Sequence, residues 1–433
     1  MRAIIEKKHI RKGKPMKYFY ETEILIPQNV ENEKWSVVAC DQYTSEPEYW
    51  RAVEDYVGDA PSTLKITFPE IYLSEPEGRI EKINRTMEEY IKENILRPLP
   101  DSMIYVERSV GHGKVRRGIV GAVDLEDYDF KKGSSSLIRA TEGTVLERIP
   151  PRVKIREGAP MELPHIMLLI DDPEKTVIGP LAEHPGKLLY DFDLMQNSGH
   201  LTGYQLEREQ QERVQNAIAA LADPEQFEKK HPGKPVLLFA VGDGNHSLAT
   251  AKTCWENVKK TLTPEEQKNH PARFALVELV NLHDSSLEFE PIHRVVFGVD
   301  PELVLKALKA YYPDVTTSDN GGQHITCRYQ GKTEELYIRN GKSSLPVGTL
   351  QAFLDDYLQE NGGRVDYIHG ADVVERLSDE TGNIGFFLPA MQKSDLFKTV
   401  ILDGALPRKT FSMGEAWEKR FYYEAKLIRS LKE

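Results

Sequence analysis

Cysteine is scarce in this chain: three among 433 residues, at positions 40, 254 and 327, and none in a Cys-x-x-Cys pair. That excludes a disulfide framework and a thiolate zinc site, and it fits a reducing compartment. Cys40, beside Asp41, reads as a buried thiol because nothing nearby supplies a base. Long apolar runs are missing too; none approaches the ~20 residues of a membrane helix. Charge breaks up the first nine residues before the core of a secretory signal can form. The expectation is a cytoplasmic protein with no membrane partner. Positive charge is in deficit, 56 Lys and Arg against 68 Asp and Glu, for a net charge of −12. Binding to nucleic acid rests on neutralising phosphates with basic side chains, so that balance argues against it. The basic stretch at residues 7–17 reads as a solvated arm. An anionic partner should therefore be a small molecule held in a locally positive pocket.

Low-complexity tracts and internal repeats are also lacking. With 40% hydrophobic and 29% charged residues, the composition is that of a globular protein. Its length allows about three domains. Neither a Gly-Lys-Ser/Thr phosphate loop nor the dinucleotide glycine fingerprint occurs.

What the chain does contain is a polar elbow within residues 236–251. The short run 236–241 is apolar, is bounded by Pro235 and Gly242, and suits a buried strand. A helix follows at once, rich in alanine and free of Gly and Pro. Gly242 and Gly244 permit close backbone approach. Such an elbow aims unpaired N–H groups and the positive end of the helix dipole at one point, which attracts an anion, phosphate above all. Asp243, Asn245, His246 and Ser247 sit on the same elbow. The plainer alternative is a tight turn in which Asp243 or Asn245 caps the helix.

Elsewhere the pattern predicts strands at 23–27 and 35–40, then a second elbow from Asp41, with Ser45 as N-cap, Glu46 near the dipole and Pro47 in the first turn. Helical spacing joins Ile80, Ile83, Met87, Tyr90 and Ile91. A hairpin is expected from 103–107 and 117–124 through Gly111-His112-Gly113. A ligand-capable loop spans 131–151 and carries Arg139, Glu142 and Arg148. A strand at 165–170, helices at 207–221 and 224–230, and a strand at 274–281 follow. Beyond Pro301 helices and strands alternate as a separate α/β unit, ending in a helix at 416–431. The expected fold class is α/β (α+β): a core over 1–300 with an inserted β-rich segment at about 100–200, and a C-terminal α/β unit over 301–433 ending in a packing helix.

Several motifs then occur in a telling order. Asp41-Gln42-Tyr43-Thr44-Ser45 stands where a Pro-Tyr-Asp-Val motif is common, and residues 118–128 follow Gly-x-Val-x-x-Val-x-Leu-x-x-Tyr. Glu142-Gly143-Thr144 is a variant of His-Glu-x-Thr, and residues 242–246 stand for Ala-Asp-Gly-His-His-Arg. Pro291-Ile292-His293-Arg294 and Gln392-Lys393-Ser394 complete the set. Over nearly its whole length the chain thus resembles the domain of unknown function 1015 family, bacterial proteins grouped with the ParB-like fold. That fold includes a free-serine kinase, a sulfiredoxin and partition proteins, and the resemblance implies a ParB-like mixed core with a phosphate site. It does not imply a reaction. Asn245 and Ser247 replace a His and an Arg of the motif, so Arg139, Arg148, Arg294 or Lys393 would have to supply the positive charge.

The function expected on these grounds is a small-molecule phosphotransferase, with free serine or a similar hydroxy compound as acceptor and a nucleotide or pyrophosphate as donor. The elbow (Gly242, Gly244, Asn245, Ser247) would cradle phosphate, with His293 also assigned to it. Asp41, Glu46 or Glu142 would act as base, Asp243 could hold Mg²⁺, and His246 could bond a phosphate oxygen. The alternatives are a non-catalytic nucleotide-binding sensor or partner-binding protein, and a hydrolase using water as acceptor. Oligomeric state is left open.

Overall fold

The computed structural model describes residues 16–429, except 75, 77, 112 and 145. Residues 7–15 of the basic arm and His112 of the hairpin turn lie outside them.

The chain is a mixed α/β protein built on two large sheets. The larger has nine strands, in the order Tyr128–Asp129, Ile138–Ala140, Phe239–Asp243, Met167–Ile170, Phe274–Asn281, Val115–Asp124, Ile104–Ser109, His200–Gln205 and Lys187–Asp193. The strand leading into the elbow is interior, parallel to Ile138–Ala140 and antiparallel to Met167–Ile170. Burial on both faces explains its unbroken apolar run, Phe239 to Val241 being fully enclosed. Its register against Met167–Ile170 shifts between Val241 and Asp243. Gly242 occupies that irregularity, where a Cβ would come within 2.7 Å of Leu169.

The helix Asn245–Lys259 then packs Leu248, Ala251, Cys254 and Trp255 inward at three- and four-residue spacing. The second sheet has six strands: Lys332–Ile338, Gln323–Tyr329, Asn383–Phe387, Phe289–Phe297 and Arg364–His369, with Phe411–Met413 paired to Phe289–Phe297. Of these strands Phe289–Phe297 precedes Pro301 in the chain. No described helix is long and apolar enough to cross a membrane.

Three local expectations are corrected. Residues 35–40 form no strand: Asn32–Trp35 is one helical turn, and the chain then runs extended with a single bridge from Val38 to Phe421. The apolar run there reflects burial against the C-terminal segment. The loop at 131–151 holds the strand Ile138–Ala140 and the start of the helix Ile149–Glu157. Within 416–429 the only helix is the short 3-10 turn Ala416–Glu418; extended chain follows, and Lys426–Leu427 pairs with Met161–Glu162. Residues 430 and 431 of that expected helix lie outside the described ones. Residues 420–426 are buried without a break, so no solvent-facing side exists for an amphipathic helix to present.

A buried ion network pins this segment. Arg420 pairs with Glu278 and, at 2.7 Å, with Glu424, and its Nε donates to the Pro164 carbonyl at 2.9 Å. All three charged side chains are almost completely enclosed. Arg420→Met would leave buried Glu424 without its cation and Glu278 with Arg116 alone, at 3.6 Å, so urea unfolding should show a loss of about 3–5 kcal/mol. A variant as stable as the parent would refute the assigned role.

Candidate functional site

Gly244 is the N-cap of the helix Asn245–Lys259, in the left-handed region at φ 78°, and no side chain caps the helix. Neither Asp243 nor Asn245 therefore serves as the cap. Asn245 is occupied with the neighbouring strand end: the Thr141 N–H donates to its Oδ1 at 3.2 Å, and its Nδ2 donates to Thr141 Oγ1 at 3.3 Å. Asp243 Oδ1 accepts the Gly244 N–H at 2.9 Å, and Oδ2 pairs with Lys419 at 3.2 Å. Burial would raise the Asp243 carboxyl, but Lys419, His165 and the Gly244 N–H together hold it below the usual aspartate value. Asp243 is thus a fixed negative charge with both oxygens engaged. A magnesium ion at Asp243 would compete with the Lys419 ammonium for Oδ2. The three-ligand grouping present among the described residues, Glu290, His369 and Glu415, contains no elbow residue.

Glu142 moves the opposite way. Burial pushes its carboxyl up, and the Asp243 charge adds to the rise, against the pull of Lys409 and Lys419. Leu406 N–H bonds to Thr141 O at 2.6 Å, laying the segment 406–409 alongside Glu142. Lys409 takes a left-handed backbone at φ 53°, unusual for a side-chain-bearing residue. Arg294 holds that turn from within the fold, donating to the carbonyls of Arg408 and Lys409 at 2.9 Å each.

His246 follows in the first turn of the helix. Burial first, then the Arg152 and Arg148 charges, push its imidazole down to about 4, while Asp41 opposes them. Its Nε2 is enclosed and has no hydrogen-bond partner among the described residues. Ser247 Oγ lies 2.9 Å from His165 Nε2, and His165 Nδ1 lies 2.8 Å from the Tyr422 hydroxyl. Asp41 Oδ2 stands 3.6 Å from the same His165 Nε2. Arg152 is paired with Glu70.

The structure therefore gathers Asp41, Glu142, Arg148, Asp243, His246 and Ser247 around the start of one helix. Others named from the sequence have different partners. Arg139 is 3% exposed and spends its guanidinium on the carbonyls of Ser136, Pro235 and Val236, at the far end of the strand from the elbow. Arg294 is fully buried and reaches the site only through the Lys409 turn it supports. His293 Nδ1 accepts the Leu388 N–H at 3.1 Å. Lys393 donates to Asp284 O at 2.5 Å. Glu46 is exposed at the start of the helix Pro47–Val57, where its charge acts on Tyr43 and Tyr49. Gly242 serves packing on Leu169 rather than a positive φ. Sequence reasoning missed Lys409, Lys419, His165 and Tyr422, and it gave Arg152 no role. No periodicity marked them: the run Lys419 to Ala425 sets three consecutive aromatic residues between charged ones.

Comparison with known proteins places the chain in a family. The model of the family described as "Protein of unknown function (DUF1015)" matches residues 26–357, and the chain belongs to that family. Lys409, Lys419 and Tyr422 lie beyond the matched span, as does Gln392-Lys393-Ser394. No curated protein matches. Among solved structures, the chain is similar to a free serine kinase in complex with AMP (11% identity, 74% of this chain and 95% of that one, TM-score 0.38). It is also similar to SbnI with C-terminal truncation from Staphylococcus aureus (11%, 68% and 82%, TM-score 0.35). A conserved hypothetical protein from Pyrococcus furiosus matches at 12%, with 71% and 94% covered and a TM-score of 0.35. At such similarity no ligand or reaction transfers to this chain.

The depressed imidazole makes stability depend on pH. Between about 4 and 6.5 the unfolded chain holds a proton on His246 that the folded chain does not. Stability should therefore rise with pH through that window and fall as pH drops through it. Urea unfolding of His246→Asn should show a shallower pH dependence there; an unchanged slope would mean that the imidazole titrates normally.

Proposed function

We propose that the protein is a small-molecule phosphotransferase whose donor phosphate sits at the start of the helix Asn245–Lys259. One observation carries the reading: an uncapped helix start is ringed by Arg148, Lys409 and Lys419, with Asp41 and Glu142 beside them, in a molecule of net charge −12. Packing alone gives no reason for cations and carboxylates from four distant chain segments to gather at such a point.

In this reading the donor, a nucleotide or pyrophosphate, lays its terminal phosphate against the first N–H groups of the helix. Lys409, Lys419 and Arg148 neutralise charge on the transferring and leaving oxygens. The acceptor is a hydroxy compound such as free serine. Its oxygen forms a bond to phosphorus, the bridging bond to the donor breaks, and its proton passes to Asp41. Glu142, whose burial favours the neutral form, lends a hydrogen bond to a phosphate oxygen without repelling it. The full engagement of Asp243 by Lys419 and Gly244 favours a second reading, a nucleotide sensor that binds without turnover.

The deciding experiment pairs ATP, ADP and pyrophosphate with a panel of hydroxy metabolites that includes serine, and follows phosphorylated product. Asp41→Asn should lower turnover by roughly 10²-fold while unfolding stays cooperative. Tight nucleotide binding with no product from any pairing would replace the transferase by the sensor, and donor loss without an acceptor would indicate a hydrolase.

The two residues flanking the phosphate should separate cleanly in binding. Lys409→Ala should weaken inorganic phosphate by about tenfold, the scale of one charge-assisted hydrogen bond. Glu142→Gln, which keeps a neutral donor in place, should bind phosphate at least as well as the parent. Calorimetric titration showing Glu142→Gln to be the weaker binder would rule out Glu142 as a neutral hydrogen-bond donor to the phosphate.

A further inference from the structure

A cavity of about 160 Å³ adjoins the helix start, with Arg152, His165 and Ser247 in its wall. The rest of the wall is dominated by apolar side chains, among them Ile66, Phe68, Ile83, Met87, Ile155 and Met161. The polar side chains that border it already have partners. Arg152 pairs with Glu70, Arg156 with Glu162, and His165 bonds both Tyr422 and Ser247. The hydroxyls of Thr67 and Thr250 donate to the backbone carbonyls of Thr63 and His246.

A polar guest would give up its hydration in this space and find those partners already engaged, which is costly. A hydrocarbon guest loses nothing of the kind. A cavity of roughly 150 Å³ lined by aliphatic and aromatic side chains takes a benzene ring. The space is therefore that of one six-membered ring or a branched alkyl group, and Ser247 and His165 join it to the helix start.

We propose that this cavity receives the apolar body of the acceptor, so that the ligand of the combined site is the phosphate monoester of an alcohol bearing one ring or a branched alkyl group. The phosphate lies at the helix start, and the hydrocarbon lies among Ile66, Phe68, Ile83 and Met87. This rests on the phosphate reading above and narrows its acceptor: serine is small and polar, and would leave the cavity unfilled.

The test titrates the full chain with inorganic phosphate, glycerol phosphate, phenyl phosphate and benzyl alcohol. Phenyl phosphate should bind about tenfold or more tighter than either inorganic or glycerol phosphate, the scale of burying one ring. Ala159→Phe fills the cavity from its wall and should abolish that advantage while leaving inorganic phosphate unchanged. If that variant does not fold, Ile155→Trp, from a half-buried position, serves the same purpose. Equal affinities for the three phosphates, or a phenyl advantage that survives filling, would overturn the proposal. Saturable benzyl alcohol binding that filling abolishes, with no phosphate binding at all, would overturn the phosphate reading and the ester with it, while leaving the apolar cavity in place.

Discussion

Burying a charge is costly unless its partner is buried with it, and Arg420 is buried together with Glu278, Glu424 and Arg116, the last of which also pairs with Glu278. Their matching fixes where the segment 420–425 runs and the faces it presents. Arg420, Tyr422 and Glu424 alternate with Phe421, Tyr423 and Ala425, which join the hydrophobic cluster containing Ile24, Trp35 and Trp50. An extended chain has a side-chain period of two, so pinning Arg420 to Glu278 also directs Tyr422 toward His165. The same guanidinium holds the carbonyl of Pro164, the residue before His165. One buried cation thereby sets two members of the Tyr422–His165–Ser247 chain, Tyr422 and His165, and it places Lys419 within reach of Asp243.

The electrostatics of the helix start depend on carboxylates held in unlike surroundings. Asp243 touches an ammonium and a backbone N–H and stays ionised; Glu142, one strand away, has burial and a neighbouring negative charge against it. His246 is kept neutral first by burial and then by the Arg152, Arg148 and Lys409 charges. A phosphate arriving there would ease the repulsion between His246 and its arginine neighbours, so ligand and imidazole act on each other through shared charge rather than through a movement of the backbone.

The elbow was legible because everything that makes it is local: an apolar strand, two glycines and an alanine-rich helix within sixteen consecutive residues, 236–251. The alternation of helix and strand after Pro301 was legible for the same reason. The charges that complete the site were not, because Lys409 and Lys419 lie on irregular chain whose position is set by Arg294 and Arg420 from below. Arg139 and Arg294 misled for a chemical reason. A guanidinium fork that suits phosphate suits a pair of backbone carbonyls equally well, and both residues are spent in that way. The expected helix over 416–431 failed because residues 420–426 are buried on every side, which lets an extended chain with a period of two prevail.

The order in which the chain is made gives the Tyr422 contact a further meaning. A ribosome finishes the strand Phe239–Asp243 and its helix long before it reaches Lys409, Lys419 or Tyr422, and domains generally fold from the N-terminal side as they emerge. During that interval the helix start exists without its lysines, and the His165 ring without its hydroxyl partner. On the proposed reading anion affinity is thus acquired late in synthesis, and a product cut short before residue 409 would carry the glycine elbow yet lack Lys409 and Lys419.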